Sequence, residues 1–264
     1  MIATQFLVAP GLMFETFGRV APLGLQLWDV AANAYAPNDL QVTATPLMSP
    51  TQTRTATSSR NGVYGFARLP GLPAQDYEGL GDDAYWAALT AAHKRRYRVT
   101  VTDPAQRFIP FSIEVDAPLR GLLAVNNASI TVKRPTASLP LFSGVARATP
   151  AGVASVQVQV LAPWRVVQAS LNNKTIATSI SNANNEAQLF FAYPKMVLGK
   201  DLREQSWNIQ LLVWHNPAGG VDVNGVPDLT HLLQAAQAVS IPGVTNTPHT
   251  LTFGQTLTIP NLKS

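Results

Sequence analysis

Apolar and polar residues alternate over short stretches of the chain, and proline, glycine and asparagine separate these stretches. A period of two places successive side chains on opposite faces of a strand, so the pattern predicts half-buried β-strands. In the first half it predicts strands at about 23–29, 40–45, 53–58, 63–69, 98–102, 108–115 and 129–132. In the second half it predicts strands at about 154–162, 165–171, 175–179, 187–192, 207–214 and 251–259. The chain is therefore expected to be all-β.

A longer pattern occurs twice, about 124 residues apart, at 42–70 and at 166–194. Each copy has an alternating apolar stretch, a stretch rich in Thr, Ser and Asn, a polar turn, and an aromatic strand that ends at proline. The alignment of the copies pairs Asn61 with Asn185 and Phe66 with Phe190. The repeat predicts two related β-domains in tandem.

The repeat and a proline-containing linker near 133–136 define the predicted domain boundaries. We expect an apolar N-terminal arm at 1–20, a first β-sandwich at 21–135 and a second β-sandwich at 136–264. Proline and glycine punctuate both halves at short intervals, which is typical of sandwiches and less so of helical folds. The halves are therefore expected to fold as separate but related units.

A short helix is predicted within each sandwich, near 83–95 and near 229–238. Asp228 or Thr230 is the expected N-cap of the second helix, where a side-chain oxygen can accept hydrogen bonds from free N–H groups. The basic cluster His93-Lys94-Arg95-Arg96 would end the first helix, where positive charge complements the helix dipole. The alternative interpretation is that this cluster contacts an acidic partner, whether a subunit, a lipid headgroup or a nucleic acid.

Charged residues make up only 13% of the chain, about half the usual share of a soluble domain. Such a composition is typical either of a β-protein with Thr and Asn on its surface or of a subunit covered by neighbours. The net charge of +4 is too small to predict nucleic-acid binding. The absence of cysteine excludes disulfides and thiolate chemistry, and no apolar stretch is long enough to predict a transmembrane helix.

The motifs of catalytic and metal sites are not recognisable in the sequence. The four histidines show neither an i, i+4 pair nor a His-x-x-Glu spacing. Segment 222–228 places oxygen-bearing side chains around a glycine, but it lacks the terminal Glu of a calcium loop, so a turn before a helix cap is favoured. Trp207 and Trp214 lie on opposite faces of one strand, which favours burial over a sugar-stacking platform. We expect no enzymatic activity, no cofactor and no bound metal.

Residues 61–66 read Asn-Gly-Val-Tyr-Gly-Phe, residues 69–71 read Leu-Pro-Gly, and residues 97–101 read Tyr-Arg-Val-Thr-Val. This succession resembles the carboxypeptidase regulatory-like domain, a transthyretin-like β-sandwich of seven strands. The resemblance implies two transthyretin- or immunoglobulin-like sandwiches with short helical insertions, and it supplies no catalytic residues.

Residues 97–111, with Pro118-Leu-Arg-Gly-Leu, Pro140-Leu-Phe-Ser and Phe253-Gly-Gln-Thr-Leu, are similar to a narrower group of these proteins. Members of that group are encoded in clusters for phage-tail-like contractile injection systems, beside sheath, tube and cap genes. The resemblance implies a non-enzymatic structural subunit at the cap, the baseplate or a surrounding shell. It also implies sheath, tube, cap or baseplate proteins as partners, and a homo-oligomer within the assembly.

In this interpretation the chain acts through surface contacts, without nucleic acid and without direct membrane insertion. The apolar arm would add a strand to a neighbour, three arginines would meet acidic patches, and one exposed tryptophan would dock. The expected interface residues are Phe6, Leu7, Phe14, Phe17, Arg95, Arg96, Arg98 and Trp214. The protein is expected in the cytoplasm, in a particle that is later released or docked at a membrane. The alternative is a carbohydrate- or surface-binding β-sandwich module, and an enzyme comes third.

Overall fold

Strands dominate the computed structural model of the chain. They account for 48% of the residues and helix for 6%, so the all-β prediction is confirmed. The predicted arm at 1–20 and the predicted strand at 129–132 lie outside the described part of the chain. The structure describes residues 21–59, 61–72, 86–87, 89, 91–123, 134–135, 137–216, 221–222, 225–233, 239–240 and 248–260.

The strands described in the first half form two groups. Strand β1 pairs with antiparallel β2 and β6 and with parallel β9 and β10, and β5 extends the sheet beyond β6. The other sheet is antiparallel, in the order β4-β3-β7-β8. Their bounds are β1 (Leu23–Asp29), β2 (Ala34–Tyr35), β3 (Gln41–Pro46), β4 (Arg54–Thr55), β5 (Thr57–Ser58), β6 (Val63–Phe66), β7 (Arg95–Thr102), β8 (Phe111–Ala117), β9 (Leu122–Leu123) and β10 (Leu139–Leu141).

The strands described in the second half also form two groups. One sheet has the order β14-β11-β18, and the other has the order β13-β12-β15, with β16 and β17 both paired to β15. Their bounds are β11 (Val153–Gln159), β12 (Val166–Leu171), β13 (Lys174–Ile180), β14 (Glu186–Ala192), β15 (Ser206–His215), β16 (Val239–Ser240), β17 (His249–Thr252) and β18 (Thr256–Ile259).

The strand pairing of the first half is repeated in the second. Strand β1 pairs antiparallel with β6 and parallel with β9. Strand β11 pairs in the same way, antiparallel with β14 and parallel with β18. Strand β3 lies between β4 and the long strand β7, and strand β12 lies between β13 and the long strand β15. On its other side β7 pairs with β8, and β15 pairs with β17. The sequence repeat is therefore also a repeat of strand connectivity.

The structural alignment of the repeats differs by one residue from the predicted one in the aromatic strands. Phe66 pairs with Leu23 in the first core, and Leu189 pairs with Val156 in the second. Phe190, the predicted equivalent of Phe66, points to the opposite face, because side chains alternate along a strand. Phe66 therefore corresponds to Leu189, and the predicted match with Phe190 is wrong.

The turns before these strands show the same shift. In each of the segments 59–63 and 182–186, the N–H of the fourth residue donates to the carbonyl of the first residue. The N–H of the first residue in turn donates to the carbonyl of the fifth residue. The fourth residue has positive φ in each turn, +71° at Gly62 and +67° at Asn185. Asparagine is one of the few residues that adopt this left-handed conformation readily. Asn185 thus corresponds to Gly62, and its predicted match with Asn61 is wrong.

Buried apolar side chains form two clusters, one for each set of sheets. The first contains inward-facing residues of β1, β3, β6, β7 and β8, and the second those of β11, β12, β14 and β15. Leu139 and Leu141 of β10 belong to the first cluster, although they follow the boundary predicted after residue 135. Val166 and Ile180 of the second half also join it. The first core therefore includes residues on both sides of that boundary, because parallel pairing draws β10 onto β1.

A segment of the second half packs against the edge strand β8. The N–H of Ser112 donates to the carbonyl of Pro227 at 2.8 Å. Helix α1 (Leu229–Leu232) begins there, and its N-cap Asp228 accepts a hydrogen bond from the Thr230 N–H, so the predicted Asp228 cap is confirmed. Leu229 is fully buried in the first cluster. The helix ends at Leu232 with Leu233 as its C-cap, and residues 234–238 of the predicted helix lie outside the described residues.

The helix predicted near 83–95 does not extend to its predicted end. Residues 86–87 are helical, Ala91–His93 form a 3₁₀ turn, and β7 begins at Arg95. Arg95 and Arg96 pair with β8 as strand residues, so they do not complement a helix dipole. Residues 83–85, 88 and 90 of the predicted helix lie outside the described part of the chain.

The turn between β7 and β8 is organised by the carboxylate of Asp103. Its Oδ2 accepts hydrogen bonds from the Arg107 N–H at 2.7 Å and from Arg107 Nε at 2.9 Å, and Oδ1 accepts one from the Ala105 N–H at 3.0 Å. Arg107 also donates to Asp39 at 2.7 Å. Burial by itself raises the pKa of Asp103, but the hydrogen bonds outweigh it and hold this pKa below its ordinary value.

This network predicts a pH-dependent contribution to stability. A carboxyl whose folded pKa is depressed stabilises the fold above its unfolded pKa, and the contribution is lost as the pH falls through the folded pKa. We expect Asp103→Asn to lower the free energy of unfolding at neutral pH, and the difference from wild type to shrink below about pH 4. Urea unfolding over this pH range measures it, with Asp116→Asn, an exposed carboxylate on β8 outside the network, as control. A difference independent of pH would contradict the assignment.

Candidate functional site

Threonine is the commonest residue on the face of the β4-β3-β7-β8 sheet that points away from the core, where it lies on β3, β4 and β7. The β-branched side chain suits a strand, and alternation sends the neighbouring valines and alanines inward. Thr43 and Thr100 are cross-strand partners near the middle of this face. We call this surface the threonine face; its members are Thr43, Thr45, Thr55, Thr100 and Thr102.

The threonine face combines methyl groups with hydroxyls that can both donate and accept hydrogen bonds. Thr43, Thr45, Thr100 and Thr102 are partly buried by their neighbours, and Thr55 is exposed. The hydroxyls of Thr45 and Thr53 are 2.9 Å apart and bond to each other. The five threonines carry no charge, so a partner that covers them binds at a lower electrostatic cost than on a charged surface.

Two of the three predicted interface arginines lie at one end of the threonine face and share one carboxylate. Arg98 Nη2 is 2.8 Å from Glu114 Oε1, and Arg96 Nε is 3.2 Å from Glu114 Oε2. Arg95 lies on the opposite face of β7, the same face as buried Tyr97. The structure therefore brings Arg96 and Arg98 together but separates Arg95 from them, and Glu114 offsets part of their charge.

Trp214 is placed between the two halves of the chain. It packs against the first core, whereas Trp207 of the same strand packs against the second core. The predicted placement on opposite faces of the strand is confirmed, and the chain itself covers much of the predicted docking residue Trp214. The other predicted interface residues, Phe6, Leu7, Phe14 and Phe17, lie outside the described part of the chain.

An ion pair that local sequence patterns do not reveal lies where the two halves meet. Arg147 Nη1 is 2.6 Å from Asp29 Oδ1 and 3.0 Å from Ser143 Oγ, and Nη2 bonds to the other Asp29 oxygen. Its guanidinium carbon is 4.9 Å from the ring centre of Phe108 and 5.8 Å from that of Phe190. Because Phe108 and Phe190 belong to different halves, Arg147 contacts both halves of the chain at once.

A small cleft adjoins this pair. Ala31 and Ser143 line it from the first half, and Thr178, Gln188 and Phe190 line it from the second. The lining is largely polar, and the side chains of Ser143, Thr178 and Gln188 are buried. The cleft and the ion pair together mark the contact region between the halves.

The described part of the chain has neither a cluster of metal ligands nor a helix that could span a membrane, and Asp222 organises one of its turns. The described residues include no group of three or more His, Asp or Glu side chains that could hold a metal ion. Asp222 closes the 222–228 turn through hydrogen bonds with Val226, from the Val226 N–H to Oδ1 at 3.0 Å and from its own N–H to the Val226 carbonyl at 2.7 Å. Across the same described part, no helix is long and apolar enough to cross a membrane.

Comparison with known proteins adds no relative. No protein-family model matches the chain, and neither a curated protein nor a solved structure matches it. The function of the chain is therefore inferred from its surfaces, its repeated strand connectivity and its sequence motifs.

Proposed function

We propose that this chain is a non-enzymatic structural subunit of a contractile, phage-tail-like particle, built from two transthyretin-like β-sandwiches. The observation that carries the proposal is the threonine face, a regular surface on an antiparallel sheet whose members bear no charge. The repeated connectivity supports the proposal of two sandwiches. In each half of the chain, one sheet has a strand with an antiparallel and a parallel partner, and a second sheet is antiparallel. The sequence resemblance supplies the contractile particle as the setting.

The subunit works by docking. A neighbouring sheath, tube, cap or baseplate protein, or another copy of the chain, covers the threonine face and shields its hydroxyls from water. Arg96 and Arg98 lie at the rim of the contact, where charged groups add orientation more than affinity. Interfaces of ordinary size bury about 800 Å² on each partner, which a face of several strands can supply. Assembly takes place in the cytoplasm, before the particle is released or docked.

Affinity purification of the tagged protein from the organism that encodes it tests the proposal, with negative-stain electron microscopy of the eluate. We expect rod-like sheathed particles that carry the tag at one end or in a ring. A monomer that purifies without any particle would contradict the proposal, and glycan screening for the alternative binding function would then follow.

Placing a charge on the threonine face should prevent incorporation. Thr100→Arg would bury an unpaired cation in the contact, and we expect incorporation into particles to fall at least about tenfold. Thr57→Arg, an exposed threonine on strand β5, is the matched control and should incorporate normally. Both variants should unfold at the wild-type temperature. Quantitative mass spectrometry of purified particles measures the occupancy, and equal occupancy of the two variants would exclude this face.

A further inference from the structure

An unusually apolar and exposed loop connects β14 to β15. Leu198 is 95% exposed and Val197 is 56% exposed, with Met196 and Leu202 also exposed beside them. Consecutive apolar side chains in water are unfavourable, and contiguous exposed patches of this kind mark sites of interaction. We call residues 195–203 the apolar loop.

The apolar loop is held in place by a buried amide. Gln205 is only 2% exposed; its Oε1 accepts a hydrogen bond from the Val197 N–H at 2.9 Å, and its Nε2 donates to the Val197 carbonyl at 2.8 Å. On the other side of the tip, Asp201 caps a 3₁₀ turn at Leu202–Glu204 by accepting from the Arg203 N–H at 3.0 Å. The apolar side chains are therefore presented to solvent by a fixed backbone, which lowers the ordering cost of binding.

Aromatic residues lie at the base of the apolar loop. The ring of Tyr193 is centred 5.6 Å from that of Trp207 and 4.5 Å from that of Phe253. Trp207 Nε1 donates to the carbonyl of Lys195 at 3.4 Å, which joins this aromatic cluster to the loop. All three rings are partly exposed. Tyr and Trp are enriched where proteins meet the boundary between lipid hydrocarbon and water.

Exposed cations flank the apolar tip on both sides. Lys195 precedes it, and Lys200 and Arg203 follow it. Asp201 and Glu204 offset part of this charge, although Asp201 is also engaged as the cap of the turn. Cations beside a membrane surface are attracted to anionic headgroups.

We propose that the apolar loop is a peripheral docking site for an anionic lipid surface. Met196, Val197 and Leu198 enter the acyl boundary, the aromatic cluster lies at headgroup level, and the three cations contact anionic headgroups. A projecting tip suits a bilayer, which deforms around it, whereas a protein partner would need a matching pocket. The contact goes beyond the proposed function and does not depend on it. It also needs no spanning segment, so it differs from a transmembrane span, which the sequence does not predict.

Co-sedimentation of the full chain with vesicles tests this proposal. We expect binding to vesicles of equimolar phosphatidylcholine and phosphatidylglycerol, weaker binding to phosphatidylcholine alone, and loss of the difference at high salt. Leu198→Ser should weaken binding to the mixed vesicles about tenfold or more, since burial of one leucine side chain accounts for roughly that factor. The matched control is Met48→Ser, because Met48 is 92% exposed elsewhere on the surface, and it should bind like wild type.

A second variant separates the electrostatic part. Lys195→Gln/Lys200→Gln/Arg203→Gln should reduce binding to the mixed vesicles about a hundredfold and change binding to phosphatidylcholine little. Circular dichroism and unfolding curves should match wild type for all variants, because every substituted side chain is exposed.

Failure of the wild type to bind the mixed vesicles would overturn the proposal, as would Leu198→Ser binding as tightly as wild type. Self-association that Leu198→Ser abolishes, without vesicle binding, would assign the loop to a contact between copies and would also overturn it. Purified components suffice for these assays, so their outcome is distinguishable from that of the particle experiments.

Discussion

Replacing Arg147 by methionine should lower the free energy of unfolding by about 3–5 kcal/mol, the usual effect of removing one partner of a buried ion pair. The side chains of Arg147 and Asp29 are 13% and 7% exposed. Without the guanidinium, the Asp29 carboxylate keeps hydrogen bonds from the Ala31 and Ala32 N–H groups but faces no cation. Methionine is a long apolar side chain that can fill the space beside the rings of Phe108 and Phe190, so the loss reports mainly on the charge and its hydrogen bonds.

Urea unfolding followed by circular dichroism measures this loss. The matched control is Arg54→Met, an exposed arginine on β4, which should change stability by no more than about 0.5 kcal/mol. The double variant Asp29→Asn/Arg147→Met should recover part of the loss, because it removes the unpaired buried charge. An Arg147→Met protein less than about 1 kcal/mol below wild type would show that the pair is not a main determinant of stability.

The second large effect is expected for Gly144→Ala, which should lower the free energy of unfolding by about 1–3 kcal/mol. An added Cβ would lie 2.8 Å from the carbonyl oxygen of Gln106 and 3.5 Å from that of Arg107. Both are backbone atoms, and the Gly144 N–H donates to the Arg107 carbonyl at 2.8 Å, so relief of the clash would break this link. Thermal and urea unfolding give the cost.

Gly65→Ala is the matched control for this substitution. Its Cβ would meet the nearest atom, the Cβ of Ala21, at 3.5 Å, which is ordinary van der Waals contact. Both variants restrict the unfolded chain equally, so the control should remain within about 1 kcal/mol of wild type. Equal destabilisation by the two variants would contradict the close backbone approach at Gly144.

Period-two alternation predicted the strands well wherever it coincided with burial. Strand β1 (Leu23–Asp29) has the predicted bounds, because its alternating leucines lie in the first core. The start of β7 at Arg95 was not predictable, since two consecutive arginines carry no apolar signal and the strand forms there by pairing with β8. The one-residue shift between the repeats was also not predictable, because an ungapped sequence alignment does not show which face of a strand a residue occupies.

The candidate sites were predictable only in part, because they depend on long-range pairing. Glu114 joins Arg96 and Arg98 through the register of β7 and β8, which local patterns do not specify. Asp29 and Arg147 are separated by 118 positions, and neither has a local signature of burial. Leu198 appears in sequence as an ordinary apolar residue, and only the fold places it in water.

The most direct test of the docking account is a single-particle reconstruction of sheathed particles isolated from the organism that encodes this chain. The account predicts density that fits the two repeated sets of strands, with the threonine face covered by a neighbouring subunit. A particle that lacks the chain, or one that holds it with the threonine face open to solvent, would contradict the account.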